Sequence, residues 1–206
     1  MTATVERPYH HGALRKAVID AAVAEVAAVG ASALSMRAIA RRAGVSHAAP
    51  AHHFGDKAGI FTAIAIEGFD LMTKTIEPVA FEEQGFITGG TAYIQFALEH
   101  PGYFEVMFRP TLYDLNDPAL VAARDGAFDV LRESARHAIA PDASDDEAEA
   151  LAVAGWSLSH GFATLWLQAN LVDKLGPDPF DQVARGVMEL GSIVRRSREA
   201  QASPDS

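Results

Sequence analysis

No segment of this chain alternates apolar and polar residues with a two-residue period and enough β-branched content to make a strand. Apolar residues recur instead at spacings of three and four. In HGALRKAVIDAAVAEVAAV, Leu14, Val18, Ala22, Val26 and Val29 fall along one helical face. The pattern predicts an all-α fold, and the capping chemistry divides it. The first helix runs from about His11 to Val29, with Gly30 placed to end it in a left-handed conformation. Ser35 is an N-cap for a short helix through Ala43, with Ile39 and Ala40 inward and Arg37, Arg41 and Arg42 outward. Gly44-Val45 makes a turn, and Ser46 caps a third helix reaching His53 or Phe54.

Asp56 caps a fourth helix, from Lys57 to about Ile76, which Pro78 ends. The polar, Gly-rich stretch EEQGFITGG then separates head from body. Further helices are expected at about 88–99, 101–109, 118–139, 145–172 and 180–198, with Pro101, Pro118 and Pro179 in first turns. Ser144-x-x-Glu147 has capping-box spacing, and the residues from Arg195 onward read as a frayed tail. The expected division is a head over 1–57, a connecting helix over 57–77, a helical-bundle body over 78–198 and a tail over 199–206.

The chain has 206 residues, 49% of them hydrophobic, which is enough for a real core. It has no apolar run long enough to span a membrane and no signal-peptide pattern, so no membrane partner is expected and a cytoplasmic location is the simplest expectation. With no cysteine there is neither a disulfide nor a thiolate metal site. The net charge of −10 argues against nucleic acid until its distribution is read. Residues 1–57 carry seven basic and four acidic side chains and five of the eight histidines, whereas the rest carries ten basic and twenty-three acidic ones. A mildly basic head precedes a strongly acidic body.

Two short helices around a Gly-bearing turn are what a helix-turn-helix needs, with Ile39, Ala40, Val45 and Phe54 available to hold the angle and Ala43 and Gly44 allowing close approach. A plain helical hairpin would look the same on pattern alone. The run LSMRAIARRAGVSHAAPAHHFGDKAGIF, with YHHGALRKAVIDAAVAEVAAVGASAL before it, resembles the DNA-binding head of the TetR family of bacterial regulators. The shared motif is A-x-x-A-G-V-S followed by H-F-x-x-K. The resemblance implies a three-helix head, a connecting fourth helix, and a larger all-helical body that dimerises and binds a small ligand.

On that reading the DNA-contacting set is Ser35, Arg37, Ser46, His47, Ala48, Ala49, Ala51, His52 and Lys57. Ser46, as cap, leaves first-turn amides to face a phosphate. His47 stands at the exposed start of the reading helix. Ala48 and Ala49 are small enough for a close fit in the groove, where a methyl can pack on a thymine methyl. Pro50 removes one backbone donor near the helix start, where the cost is lowest. Arg37 suits a bidentate guanine or phosphate contact. His52 and His53 project about 100° apart; the resemblance has His52 facing phosphate, His53 and Phe54 packing inward, and Lys57 reaching a phosphate. At Ala51 the family usually carries a tyrosine that contacts the DNA backbone, and alanine cannot. Arg7, Tyr9 and His10 are candidates for an arm along the backbone.

In the body, Trp156 and His160 stand at i,i+4 on one helix face, followed by Gly161. They offer stacking surface and one switchable hydrogen bond, or simply a buried pair satisfying its own N–H groups. W-x-x-x-H-G resembles the signature of one C-terminal domain type within the TetR family. Tyr93, Phe96, Phe104, Met107 and Phe108 lie at helical spacings that suit a core or, taken with Trp156 and His160, a mainly apolar ligand site. Phe162, Leu165, Trp166 and Ala169 on one helix, and Phe180, Val183, Val187, Leu190 and Val194 on the next, would make a four-helix contact between two copies.

No metal site, cofactor fingerprint, nucleophile elbow or P-loop is present. The chain therefore reads as a regulator and not an enzyme: a homodimeric repressor on palindromic double-stranded DNA, released by a small-molecule effector. The alternative reading is a ligand-binding helical protein whose head no longer reads DNA.

Overall fold

Helix α1 occupies His11–Val29, the expected span. The computed structural model describes residues 11–169, 171–175, 184–186 and 189–190, and among these residues there is no strand. Val18, Ile19, Ala21, Ala22 and Val26 are buried, so the inward stripe of α1 is the predicted one. Val29 departs from it and is 54% exposed. It is the last helical residue, and Gly30 diverts the chain there at φ +80°, ψ 155°, an extended conformation with positive φ rather than the left-handed helical one expected. A short 3-10 turn follows over Ala31–Ala33.

Helix α2, Met36–Ala43, begins as predicted, with Ser35 Oγ accepting from the Ala38 amide at 3.2 Å. It ends at Gly44 in the left-handed region, φ 67°. Helix α3 starts later than Ser46 would have it. It spans Ala49–Phe54, with Ala48 as its N-cap residue and no side-chain cap. Pro50 is the reason. Capping at Ser46 would require the Pro50 nitrogen to bond the Ser46 carbonyl, and proline has no N–H and would push its ring into that carbonyl. Starting at Ala49 places Pro50 in the first turn, where no intrahelical donor is needed. The Ala49 amide closes a turn onto the Ser46 carbonyl at 3.0 Å instead.

Helix α4 covers Lys57–Ala80, and Asp56 caps it by accepting from the Gly59 amide at 2.9 Å. It passes through Pro78 rather than stopping before it. The extra turn is held by packing: Ala80 is buried and its carbonyl accepts from Ser134 Oγ at 2.8 Å. The expected linker is mostly helix, because α5 already begins at Gly85 and runs to Glu99. A Cβ on Gly85 would lie 2.1 Å from the Ala80 carbonyl oxygen, so this glycine marks a tight backbone approach and not a flexible joint.

Helix α6 spans Pro101–Met107, α7 Pro118–Ala138, α8 Asp145–Gln168 and α9 Leu171–Leu175, with a 3-10 turn at Pro110–Leu112. Ser144 and Glu147 form the predicted capping box on α8. The Ser144 backbone N–H, above all, holds the Glu147 carboxyl below its ordinary pKa. Helix α8 stops at Gln168, short of the expected 172. None of the helices among the described residues is long and apolar enough to cross a membrane.

The described residues fall into two compact units that do not follow the linear order. The first joins the residues through Glu67 to Gly102–Leu120; the second joins Gly68–Pro101 to the residues from Val121 onward. In the first unit α6 is pinned to α1 and α4. A Cβ on Gly102 would lie 2.5 Å from the Val23 carbonyl oxygen. Glu105 accepts from the Ala31 amide at 2.9 Å and pairs with Arg109 at 3.0 Å. Tyr103 donates to Glu67 at 2.5 Å, and Lys16 reaches the same carboxylate at 2.9 Å while also pairing with Asp20. In the second unit α5 packs on α8, and Ile94, Phe162 and Ala184 form a buried cluster that Trp166 and Leu171 cover.

Candidate functional site

The first unit presents a mostly polar, small-residue surface around α2 and α3. Ser35, Arg37, Ser46, His47, Ala48, Ala51 and His52 are exposed, Ala49 is half-buried and Pro50 is buried. Arg37 and Arg41, four residues apart and so on one face of α2, make no ion pair among the described residues. Arg42 is exposed as expected, but it is also paired within the protein. Its Nε donates to Glu25 Oε1 at 2.8 Å, and the Glu25 side chain is only 12% exposed, so this pair fastens α2 to α1. The other two arginines of α2 put positive charge beside the turn that no acidic side chain pairs with among the described residues.

His52 is exposed while His53 and Phe54 are half-buried, the split that adjacent helical positions demand. The imidazole rings of His52 and His53 meet edge-on at 5.3 Å. The Arg15 guanidinium lies 5.3 Å over the Phe54 ring. Lys57 is more engaged than a simple phosphate contact would be. Its ammonium sits 5.4 Å over the Phe61 ring and 3.4 Å from the Ser32 carbonyl. Arg7, Tyr9 and His10 lie outside the described residues.

The second unit brings together three of the seven aromatic and polar residues proposed for a ligand. Trp156 Nε1–H donates to Tyr93 Oη at 3.3 Å, and Tyr93 Oη lies 2.8 Å from His160 Nδ1. The indole can only donate, so the phenol oxygen accepts from it, and the direction of the Tyr93–His160 bond is set by the imidazole tautomer. Burial pushes the Tyr93 phenol up and the His160 imidazole down, so both are neutral near pH 7. Phe96 is fully buried in this unit, its ring 5.2 Å from that of His100. Phe104, Met107 and Phe108 belong to the first unit, where the two phenylalanine rings lie 5.1 Å apart.

Sequence reasoning missed Gly155 and Phe86. A Cβ on Gly155 would fall 2.4 Å from Phe86 Cζ, so the glycine lets that ring lie against α8 one residue before Trp156. A glycine inside a helical pattern was the available signal.

Of the residues expected at a dimer surface, Phe162 is buried and Trp166 packs on the same cluster, so both belong to the core of their own unit. Leu165 and Leu190 are 54% and 49% exposed, and Ala169 is exposed. Phe180, Val183, Val187 and Val194 lie outside the described residues. Leu158 is a further exposed apolar residue, seven before Leu165 and on the same face of α8. Among the described residues, no cluster of three His, Cys, Asp or Glu side chains could hold a metal.

Comparison with known proteins gives these features a context. Residues 18–64 match the family described as "Bacterial regulatory proteins, tetR family". Residues 86–190, half of the chain, match "Tetracyclin repressor-like, C-terminal domain". A protein of unknown function from Rhodococcus sp. RHA1 is 32% identical, with a TM-score of 0.73 over 90% of this chain and 96% of that one. The TetR family transcriptional regulator PfmR from Thermus thermophilus shares the fold, at 21% identity and a TM-score of 0.64 over 84% of this chain and 95% of that one. So does AibR, solved in complex with isovaleryl coenzyme A and operator DNA, at 17% identity and a TM-score of 0.57 over 86% and 97%. No curated protein matches the sequence. The two family matches make the chain a regulator and not an enzyme. The chain belongs to the TetR family of DNA-binding transcriptional regulators.

Proposed function

We propose that the chain is a homodimeric repressor that leaves a palindromic operator when a small, mainly apolar ligand binds its second unit. The observation that carries the DNA half is the pair Arg37 and Arg41. They stay exposed without an ion pair among the described residues, while Arg42 and Lys57 are engaged within the protein. Uncompensated arginines next to a reading helix are suited to phosphate and base edges. Ser35, Ser46, His47, Ala48, Ala49, Ala51 and His52 complete the contact set. The exposed small side chains of α3 let it approach the groove closely, and Lys57 reaches a phosphate by leaving a weak carbonyl contact.

The ligand half rests on the Trp156–Tyr93–His160 chain of hydrogen bonds, which fits a body of the W-x-x-x-H-G type. A related fold accepts a small molecule, as AibR does isovaleryl coenzyme A. Here α5 and the part of α8 beyond Glu149 carry no charged side chain except Glu99 at the end of α5. That lining favours an uncharged, largely apolar effector. Leu158 and Leu165, exposed on one face of α8, supply the contact for a second copy, with Ala169 and Leu190 beside them in the contact set. Two copies are what a two-fold-symmetric operator requires.

The test is a fluorescence-anisotropy titration with duplex DNA from beside the protein's own coding region, repeated across a salt series. The proposal expects saturable binding, preferred over random duplex, that weakens steeply with salt. Binding no tighter than to random DNA would favour the reading in which the head has lost its specificity, for which exposed Ala51 is the supporting residue.

A further inference from the structure

Six threonines of the described residues lie in α-helices, and five of them share one habit. Thr62, Thr73, Thr75, Thr88 and Thr91 each donate the hydroxyl to the carbonyl four residues back, at 2.9 to 3.1 Å. Ser157 and Ser159 on α8 do the same, onto Val153 and Gly155. This is the default when a helical hydroxyl has nothing better to bond. Thr164, also on α8, breaks the habit. Its Oγ1 is buried and has no hydrogen-bond partner among the described residues, although the His160 carbonyl stands four residues back.

A buried hydroxyl without a partner carries a desolvation cost that most proteins avoid. Trp156, His160 and Thr164 are spaced four residues apart along α8, so they form one slowly turning row. Two members of the row are already joined through Tyr93. The third leaves its hydroxyl unbonded to its own helix.

We propose that Thr164 Oγ1 is the polar contact for a bound ligand, and that the ligand is a largely apolar molecule with one uncharged hydrogen-bonding group, such as a hydroxyl or carbonyl. The inference rests on the ligand-binding reading above and narrows it. An ionised group is disfavoured because a neutral hydroxyl cannot compensate a buried charge, and the neighbouring parts of α5 and α8 supply no counter-charge. The unbonded hydroxyl matches a neutral donor or acceptor, for which one hydrogen bond is full compensation.

The test uses the full-length protein with two probes of similar shape, phenol and toluene, followed by thermal melting and calorimetric titration. The wild type is expected to bind phenol more tightly than toluene. Thr164→Val keeps the shape and removes the hydroxyl, and should cost phenol about fivefold in affinity while leaving toluene unchanged. Thr164→Ser should retain the phenol preference. Unliganded Thr164→Val should also melt at or above the wild-type temperature, because it deletes an unsatisfied group; a lower melting point would show the hydroxyl to be bonded already and overturn the assignment. If both probes bind and Thr164→Val keeps the preference for phenol, the assignment falls while the ligand site stands. If neither probe binds the wild type, the ligand site itself falls and the assignment with it.

Discussion

Tyr93 Oη and His160 Nδ1 are joined at 2.8 Å, and the same phenol oxygen accepts from Trp156 Nε1–H at 3.3 Å. Protonating His160 would charge an imidazole that packs against the Tyr93 and Trp156 rings. Burial opposes the same protonation.

The pH dependence follows from that pairing. The folded His160 has a pKa below the 6.5 of an unperturbed histidine. As the pH falls through the unfolded value, the unfolded chain takes up a proton that the folded chain does not, so stability drops on acidification and is fully present above that value. Urea melts at pH values about one unit above and one unit below that of a free histidine should show a larger acid loss for the wild type than for His160→Asn. Nitrogen NMR should find the imidazole neutral at the higher pH.

Arg37 and Arg42 should fail in opposite ways when truncated. Arg37→Ala is expected to leave stability within about 0.5 kcal/mol, weaken operator binding and lower the salt slope by about one. Arg42→Ala strands the largely buried Glu25 carboxylate and should cost roughly 1–3 kcal/mol of folding stability. Chemical denaturation and DNA titration of both variants check the contrast.

Ala51 is exposed on α3, at the position where the family resemblance implies a backbone-contacting tyrosine. Ala51→Tyr should tighten operator binding about fivefold, the worth of one added hydrogen bond. Flat or weaker binding in the anisotropy titration would mean that α3 meets DNA in another register.

Gly85 and Gly126 both lie in helices and should respond oppositely to a methyl group. Gly85→Ala drives a Cβ toward the Ala80 carbonyl oxygen and should destabilise by about 2 kcal/mol or more. A Cβ on Gly126, in the middle of α7, meets nothing within 4 Å, and Gly126→Ala should stabilise by roughly 0.5–1 kcal/mol. Melting curves of the two variants decide it.

Local chemistry was readable in the sequence where it acts alone. The span of α1, the Ser35 cap, the left-handed Gly44 and the Ser144–Glu147 capping box all follow from residues a few positions apart. The start of α3 was equally local: a proline in the interior of a helix capped at Ser46 costs about 3 kcal/mol, more than a serine cap returns, so Pro50 sets the start. Other features depended on distant partners. Gly85 looks like a linker until Ala80 is placed against it, and Pro78 looks like a stop until Ser134 holds the turn beyond it. In the candidate ligand set, periodicity put Tyr93, Trp156 and His160 on helix faces, but nothing in it says that Tyr93 stands between the other two. Nor could it show that Phe104 and Met107 pack in the other unit, because that follows from the fit of Gly102 against Val23.

The return of the backbone at Gly102–Leu120 to finish the first unit has a consequence for anyone dissecting or recombining regulators of this kind. Cutting after α4 yields an N-terminal fragment stripped of the Glu105 carboxylate that receives the Ala31 amide and of the Tyr103 hydroxyl that donates to Glu67. A chimera that borrows this DNA reader must also import that later stretch, or graft the reader onto a host whose own sequence rebuilds those contacts.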